Sequence, residues 1–307
     1  MKSLFNFLVV ASIVIFTFLY HEQITDFIIN KIIAPKETVE YKANNYTAKN
    51  NYGYLQINDS FFPKTRQDIM NIFYTRLDQG VDEFYFYCEE EYPTCINDVK
   101  EITNNQSILS EINNFLHPYN SYNKLSIAFE SFGKIKVNIT KLYSNEEITI
   151  INQKVDEIIN SYINDNMTTR DKIKAIHDYI INTTKYDSKK AEAIKNGNPL
   201  PTEYEAQKAY GPLIQGMAIC GGYSDAMAIF LDKLGIANYK VASSNHVWNL
   251  VYINSNWYHL DLTWDDPVTA DGTDTIIYDF FLINTASLHT LDLTQHQFNA
   301  NVYQEAN

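Results

Sequence analysis

Cys220, His246 and Asp261 follow one another within a single stretch, Gly216 to Pro267. In that order they offer a nucleophile, a base and an orienting acid. The imidazole takes the thiol proton; the carboxylate fixes the imidazole tautomer and steadies the imidazolium. The setting of Cys220 suits the role. Ala226, Met227, Phe230, Leu231 and Leu234 recur behind it at helical spacing, and Gly235 is placed as a C-terminal cap. Cys220 therefore falls at, or just ahead of, a helix N-terminus. Unpaired N–H groups and the positive dipole end favour a thiolate there. The same N–H groups can stabilise an oxyanion formed when sulfur attacks a carbonyl.

Whether the other two residues meet depends on strand register. Tyr239–Ser243, His246–Ile253 and Trp257–Leu262 read as strands, the last two joined by a turn at Asn254-Ser255-Asn256. A two-residue turn over Asn254-Ser255 sets Ile253 opposite Asn256 and Trp248 opposite Asp261. His246 is then diagonal to Asp261 on the same face, within side-chain reach. A slip of one residue would put them on opposite faces.

The stretch resembles the bacterial branch of the transglutaminase-like superfamily. The residues that carry the likeness are Cys220-Gly221-Gly222-Tyr223-Ser224, His246-Val247-Trp248-Asn249, and the run from Trp257 to Pro267 (WYHLDLTWDDP). Ile173 to Asp187 is similar to the family's leading helix. The resemblance covers about the last 140 residues. It implies a papain-like fold with Cys220 as nucleophile, His246 as base and Asp261 as orienting acid. It also implies acyl transfer through a thioester on a peptide or protein carboxamide, with no metal or cofactor. An amine would resolve the thioester by cross-linking, or water by hydrolysis. His259 and Asp265-Asp266 are competitors for the base and the acid; they are assigned packing and structural roles. Trp248 and Tyr223 are candidates for the substrate cleft. Gln215 and Tyr210 are candidates, by position only, for a second oxyanion donor. Two rival readings stand beside this one: a non-catalytic cell-surface binding or scaffold module, and a metal site built from Cys220, His246, His259 and Asp261.

The chain has 307 residues, a net charge of −13 and a pI near 4.9. That balance argues against nucleic-acid binding, which needs a basic footprint. The cysteines are Cys88, Cys95 and Cys220, with no C-x-x-C pair, so a zinc ribbon or thioredoxin motif is not expected. Cys88 and Cys95 could pair in an oxidising compartment; separate reduced thiols are the alternative.

The supporting elements give an α+β chain. Leu4 to Tyr20 carries no charge and reads as an N-terminal transmembrane anchor or uncleaved signal over 1–23. Lys2 before it, with Glu22 and Asp26 after it, sets the bulk of the chain outside the cell membrane. A secreted form is the alternative. The expected partners are a protein or peptide substrate, such as a cell-surface or cell-wall peptide, and the membrane. Residues 24–51 read as a juxtamembrane linker, 52–147 as a small α+β domain, and 148–307 as the transglutaminase-like core with its bridging helix. Within the small domain, Arg66–Leu77 and Ser107–Leu116 read as helices, Val81–Cys88 as a strand, and Leu125–Phe129 with Lys134–Leu142 as a hairpin. Glu89-Glu90-Glu91 reads as a solvated loop rather than a cation site. Ile148–Ile163 and Thr168–Asn182 read as helices, and Ser188–Pro201 as an exposed loop.

Overall fold

The computed structural model describes residues 2–28, 46, 53–197, 203–267 and 275–307. Several of its helices begin where side chains satisfy the free N–H groups of a first turn. Thr65 and Asp68 form a reciprocal capping box ahead of a helix at Arg66–Asp78. Ser144 with Glu147, and Thr168 with Asp171, do the same for Asn145–Tyr162 and Thr169–Thr183. Each such cap contributes about 1 kcal/mol.

In chain order the α-helices are α1 (Lys2–Leu19), α2 (His21–Phe27), α3 (Arg66–Asp78), α4 (Cys95–Asn104), α5 (Gln106–Asn114), α6 (Asn145–Tyr162), α7 (Thr169–Thr183), α8 (Ser188–Lys195), α9 (Cys220–Lys233), α10 (Leu262–Asp265) and α11 (Thr285–Leu291). Strands β1 (Glu83–Tyr87), β2 (Tyr122–Phe129) and β3 (Lys134–Lys141) make an antiparallel sheet in the order β1-β3-β2. β4 (Lys185–Tyr186) and β5 (Met217–Ala218) form a short parallel pair. β6 (Asn238–Ala242), β7 (Val247–Ile253), β8 (Asn256–Leu260) and β9 (Phe281–Ile283) form an antiparallel meander.

The meander is covered on both faces, because its strands alternate two apolar sets. Tyr239, Val241, Trp248 and Leu250 pack in one cluster with Phe73, Phe86 and Phe115 from the 52–147 segment. Val251, Ile253 and Leu260 pack in the other with Ile176, Ile180 and Phe230 from α7 and α9. The apolar core of the 52–147 segment thus runs directly into the sheet that carries His246. Lys240 and Asp225 form a buried ion pair at 2.6 Å between β6 and α9, and the Tyr143 hydroxyl donates to the same carboxylate.

Several local expectations change. Residues 188–195, read as loop, are α8, with Asp187 accepting from the Lys190 N–H as N-cap. The segment 173–187 is helical only to Thr183 and then turns into β4. α4 has no counterpart in the sequence reading. Cys88 and Cys95 form a disulfide, leaving Cys220 the free thiol. Of the 24–51 linker, residues 24–27 lie in α2 and most of the rest is outside the described residues. α1 has 18 residues, about 27 Å of rise against the ~30 Å of a bilayer core. Among the described residues no helix is long and apolar enough to cross a membrane.

Candidate active site

Cys220 is the first residue of α9, with Ile219 as its N-cap in an extended conformation. Its N–H is therefore one of the helix donors without an intrahelical partner. Two glycines let a neighbouring segment close over this end. A Cβ on Gly222 would sit 2.3 Å from the Ala206 carbonyl oxygen, and one on Gly221 2.7 Å from that of Gln207. The Ile219 N–H donates to the same Ala206 carbonyl at 2.8 Å. At its far end α9 stops in a Schellman cap. Gly235 has φ +75°, its N–H donates to the Asp232 carbonyl, and the Ile236 N–H to the Leu231 carbonyl.

The β7–β8 hairpin supplies the other two residues. Asn254 and Ser255 both have positive φ, 50° and 68°, as a two-residue type I′ turn requires. That turn sets Ile253 opposite Asn256 and Asn249 opposite Leu260. His246 just precedes β7, and Asp261 follows β8 as the N-cap of α10. His246 Nε2–H donates to Asp261 Oδ2 at 2.5 Å. Both side chains are buried.

Asp261 is saturated with donors. Its Oδ1 accepts from the backbone N–H groups of Thr263 (2.9 Å) and Trp264 (3.3 Å). Its Oδ2 accepts from His246 and from His296 Nε2–H at 2.9 Å. Burial alone would raise the carboxyl, but His246, by charge and hydrogen bond, and then His296 hold it well below the usual carboxylate range. The reciprocal effect falls on His246. Burial works against its charge, yet Asp261 and then the Cys220 sulfur raise it to about 10. The Cys220 sulfur is close enough to His246 to contribute to that shift, and both residues line one cleft. Both face a cleft of about 460 Å³, walled in addition by Tyr186, Asn245, Trp264 and Gln295.

The remaining candidates are placed differently. Trp248 is buried with its ring against His246 (centroids 5.6 Å apart, 16° between planes), so it supports the imidazole from behind the cleft wall. Tyr223 is buried and its hydroxyl donates to Asp266. Gln215 Oε1 accepts from the Glu205 N–H at 2.7 Å, and Tyr210 packs against the α6–α7–α9 cluster. None of these four lines the cleft. His259 accepts from the Trp248 indole at Nδ1 and donates to the Thr285 hydroxyl at Nε2. Burial, and then the charges of His296 and His289, lower it to about 3, so it stays neutral. With both nitrogens engaged it cannot join Cys220, His246 and Asp261 as a metal ligand. Asp265 ties α10 to α7 through His177 Nε2–H at 3.1 Å.

His246, Asp261 and His296 bring their ligand atoms within 4.8 Å of one another. Both nitrogens, however, aim at one carboxylate oxygen rather than at a shared void, so the arrangement is that of a hydrogen-bonded triplet. His21, Glu22 and Glu90 form an exposed group of similar spacing.

Two residues at the site escaped the sequence reading. Tyr186, on β4, pairs with Ala218, two residues ahead of Cys220. It is half-buried and lines the same cleft, and its phenol has no hydrogen-bond partner among the described residues. Burial, and then the Cys220 charge, raise its ionisation, so it remains an O–H donor. His296 comes from the turn after α11. Its one sequence signal is an Asp four residues earlier, Asp292.

Residues 156–262 match the family model described as Transglutaminase-like superfamily. That span contains Cys220, His246 and Asp261. No curated protein matches the chain. Among solved structures, one titled as a TGase is similar at 18% identity and a TM-score of 0.37, over 50% of this chain and 48% of that one. A candidate cysteine protease from Cytophaga hutchinsonii is similar at 11% identity and a TM-score of 0.28, over 50% of this chain and 65% of that one. The chain thus spans about half the length of the first and under two thirds of the second.

Proposed function

This is a protein of the transglutaminase-like superfamily through its residues 156–262, and from that premise we propose that it catalyses thiol-dependent acyl transfer on peptide or protein carboxamides. The observation that carries the reading is the convergence in one cleft of Cys220, at a helix N-terminus, with a histidine bonded to a saturated, ionised Asp261. Cys220 sulfur, as thiolate, adds to the carboxamide carbon, and a C–S bond forms. The oxyanion lies against the Cys220 N–H and the Tyr186 hydroxyl, which fills the place of second donor. The C–N bond then breaks as the His246 imidazolium gives its proton to the leaving amine. In the second half, His246 takes a proton from an incoming amine or water. That nucleophile attacks the thioester, and the thiolate leaves. An amine gives a cross-link; water gives hydrolysis.

The same reading puts the bulk of the chain outside the cytoplasmic membrane. The Cys88–Cys95 disulfide supports an oxidising compartment.

Because the other two cysteines are bonded, iodoacetamide on the native full chain reads Cys220 alone. The wild type should label rapidly at neutral pH, and His246→Ala should slow labelling at least tenfold. Incubation with a glutamine-containing peptide and a primary amine should release ammonia, and Cys220→Ala should abolish it. A thiol indifferent to His246 would sink the catalytic reading.

A further inference from the structure

Two histidines share Asp261 Oδ2, and the steps above use only one of them. His296 is fully buried, and each of its nitrogens faces a carboxylate oxygen at 2.9 Å: Nε2 faces Asp261, and Nδ1 faces Asp292 Oδ2. Carboxylates only accept, so the ring that satisfies both carries a proton on each nitrogen. Asp292 stays an acceptor. Burial pushes it up, but the Thr294 hydroxyl, the Gln295 N–H and then His296 bring it to about 2. The ring is fixed by Phe280 stacked at 5.1 Å and by the edges of Trp248 and Trp264. Its centroid lies 5.2 Å from that of His246.

We propose that Asp292 and His296 form a positioning pair that acts through Asp261, anchoring the carboxylate and dividing its charge between two imidazoles. The proposal rests on the acyl-transfer reading, in which His246 must release its proton to the leaving amine. A carboxylate acting on His246 alone would hold that proton more tightly, and a general acid works best when it does not. A second cation beside His246 weakens the hold further by repulsion. The titratable groups facing His296 are Asp261, His246, His259 on β8 and Asp292; His259 stays neutral, and the two carboxylates bond one ring nitrogen each.

The test uses the full chain with isotopically labelled histidine and long-range proton–nitrogen correlation spectra across pH. The wild type should show His296 protonated on both nitrogens at neutral pH. In Asp292→Asn, its Nδ1 should lose the proton and the His246 midpoint should move up by about half a unit or more. Asp292→Glu should restore both signals. His296→Gln, which keeps one donor for Asp261, should move His246 in the same direction. Asp292 is partly exposed, so its variants fold if His296→Gln does not. A purely structural role would leave the His246 titration where it is. If the wild-type Cys220 labels rapidly but His296 is neutral, or His246 is unmoved in the Asp292 variants, the positioning pair is overturned and the thiol reading stands. An unreactive wild-type Cys220 overturns both.

Discussion

At the scale of single residues the two proposed oxyanion donors differ in kind. The Cys220 N–H is backbone and comes with the helix; the Tyr186 hydroxyl is a side chain and can be removed alone. Losing one such donor costs about a hundredfold or more in the acylation step. Tyr186→Phe should therefore cut ammonia release from a glutamine-containing peptide by about that factor. Iodoacetamide labelling passes through no oxyanion and should change little. Equal losses in both assays would remove Tyr186 from the mechanism. The place of Cys220 at a helix start and the approach of His246 to Asp261 were legible in sequence because a helix pattern and a two-residue turn fix the local geometry. Tyr186 sits on a two-residue strand and His296 in a turn, positions with no periodicity to read. Only tertiary contacts bring Tyr186 to the cleft and His296 to Asp261. Trp248 was legible as a neighbour of the site but not as a buried support, since facing direction and depth are separate properties.

At the scale of elements, the N-terminus of α9 is held by contact rather than by a side-chain cap. Close approach of the Ala206–Gln207 backbone requires glycine at 221 and 222. Gly222→Ala forces that backbone to move, which costs about 1–3 kcal/mol. The melting temperature should fall by about 2–6 °C, and Cys220 labelling should slow as the helix end shifts. Gly53→Ala, in open space, should leave both unchanged. A Gly222→Ala protein with the wild-type melt would show that the segment yields freely. Helices with capping boxes were legible to within a few residues because the signal is chemical and local. α8 was not: it has no buried residue, hence no apolar stripe to give it a period.

At the scale of the whole molecule, the 52–147 segment and the four-stranded sheet share one apolar cluster. Perturbing that segment therefore reaches the sheet. The Cys88–Cys95 bridge closes a short ring in it, with a sequence separation of 7, for which loop entropy gives about 2.5 kcal/mol. Reduction should lower the melting temperature by about 5 °C. Thiol titration of the denatured chain should find one free thiol before reduction and three after. Three without reductant would refute the pairing. The shared cluster was not legible in sequence, because alternation along a strand shows that both faces are apolar but not what covers each.

The bridge also has a consequence for the oxidative fate of Cys220. With Cys88 and Cys95 bound to each other, Cys220 has no reduced thiol of its own chain to pair with. A sulfenic acid formed there must be rescued by a thiol from outside or proceed to the irreversible sulfinic acid. The lifetime of the cysteine as a nucleophile is then set by the small thiols around the protein rather than by the fold.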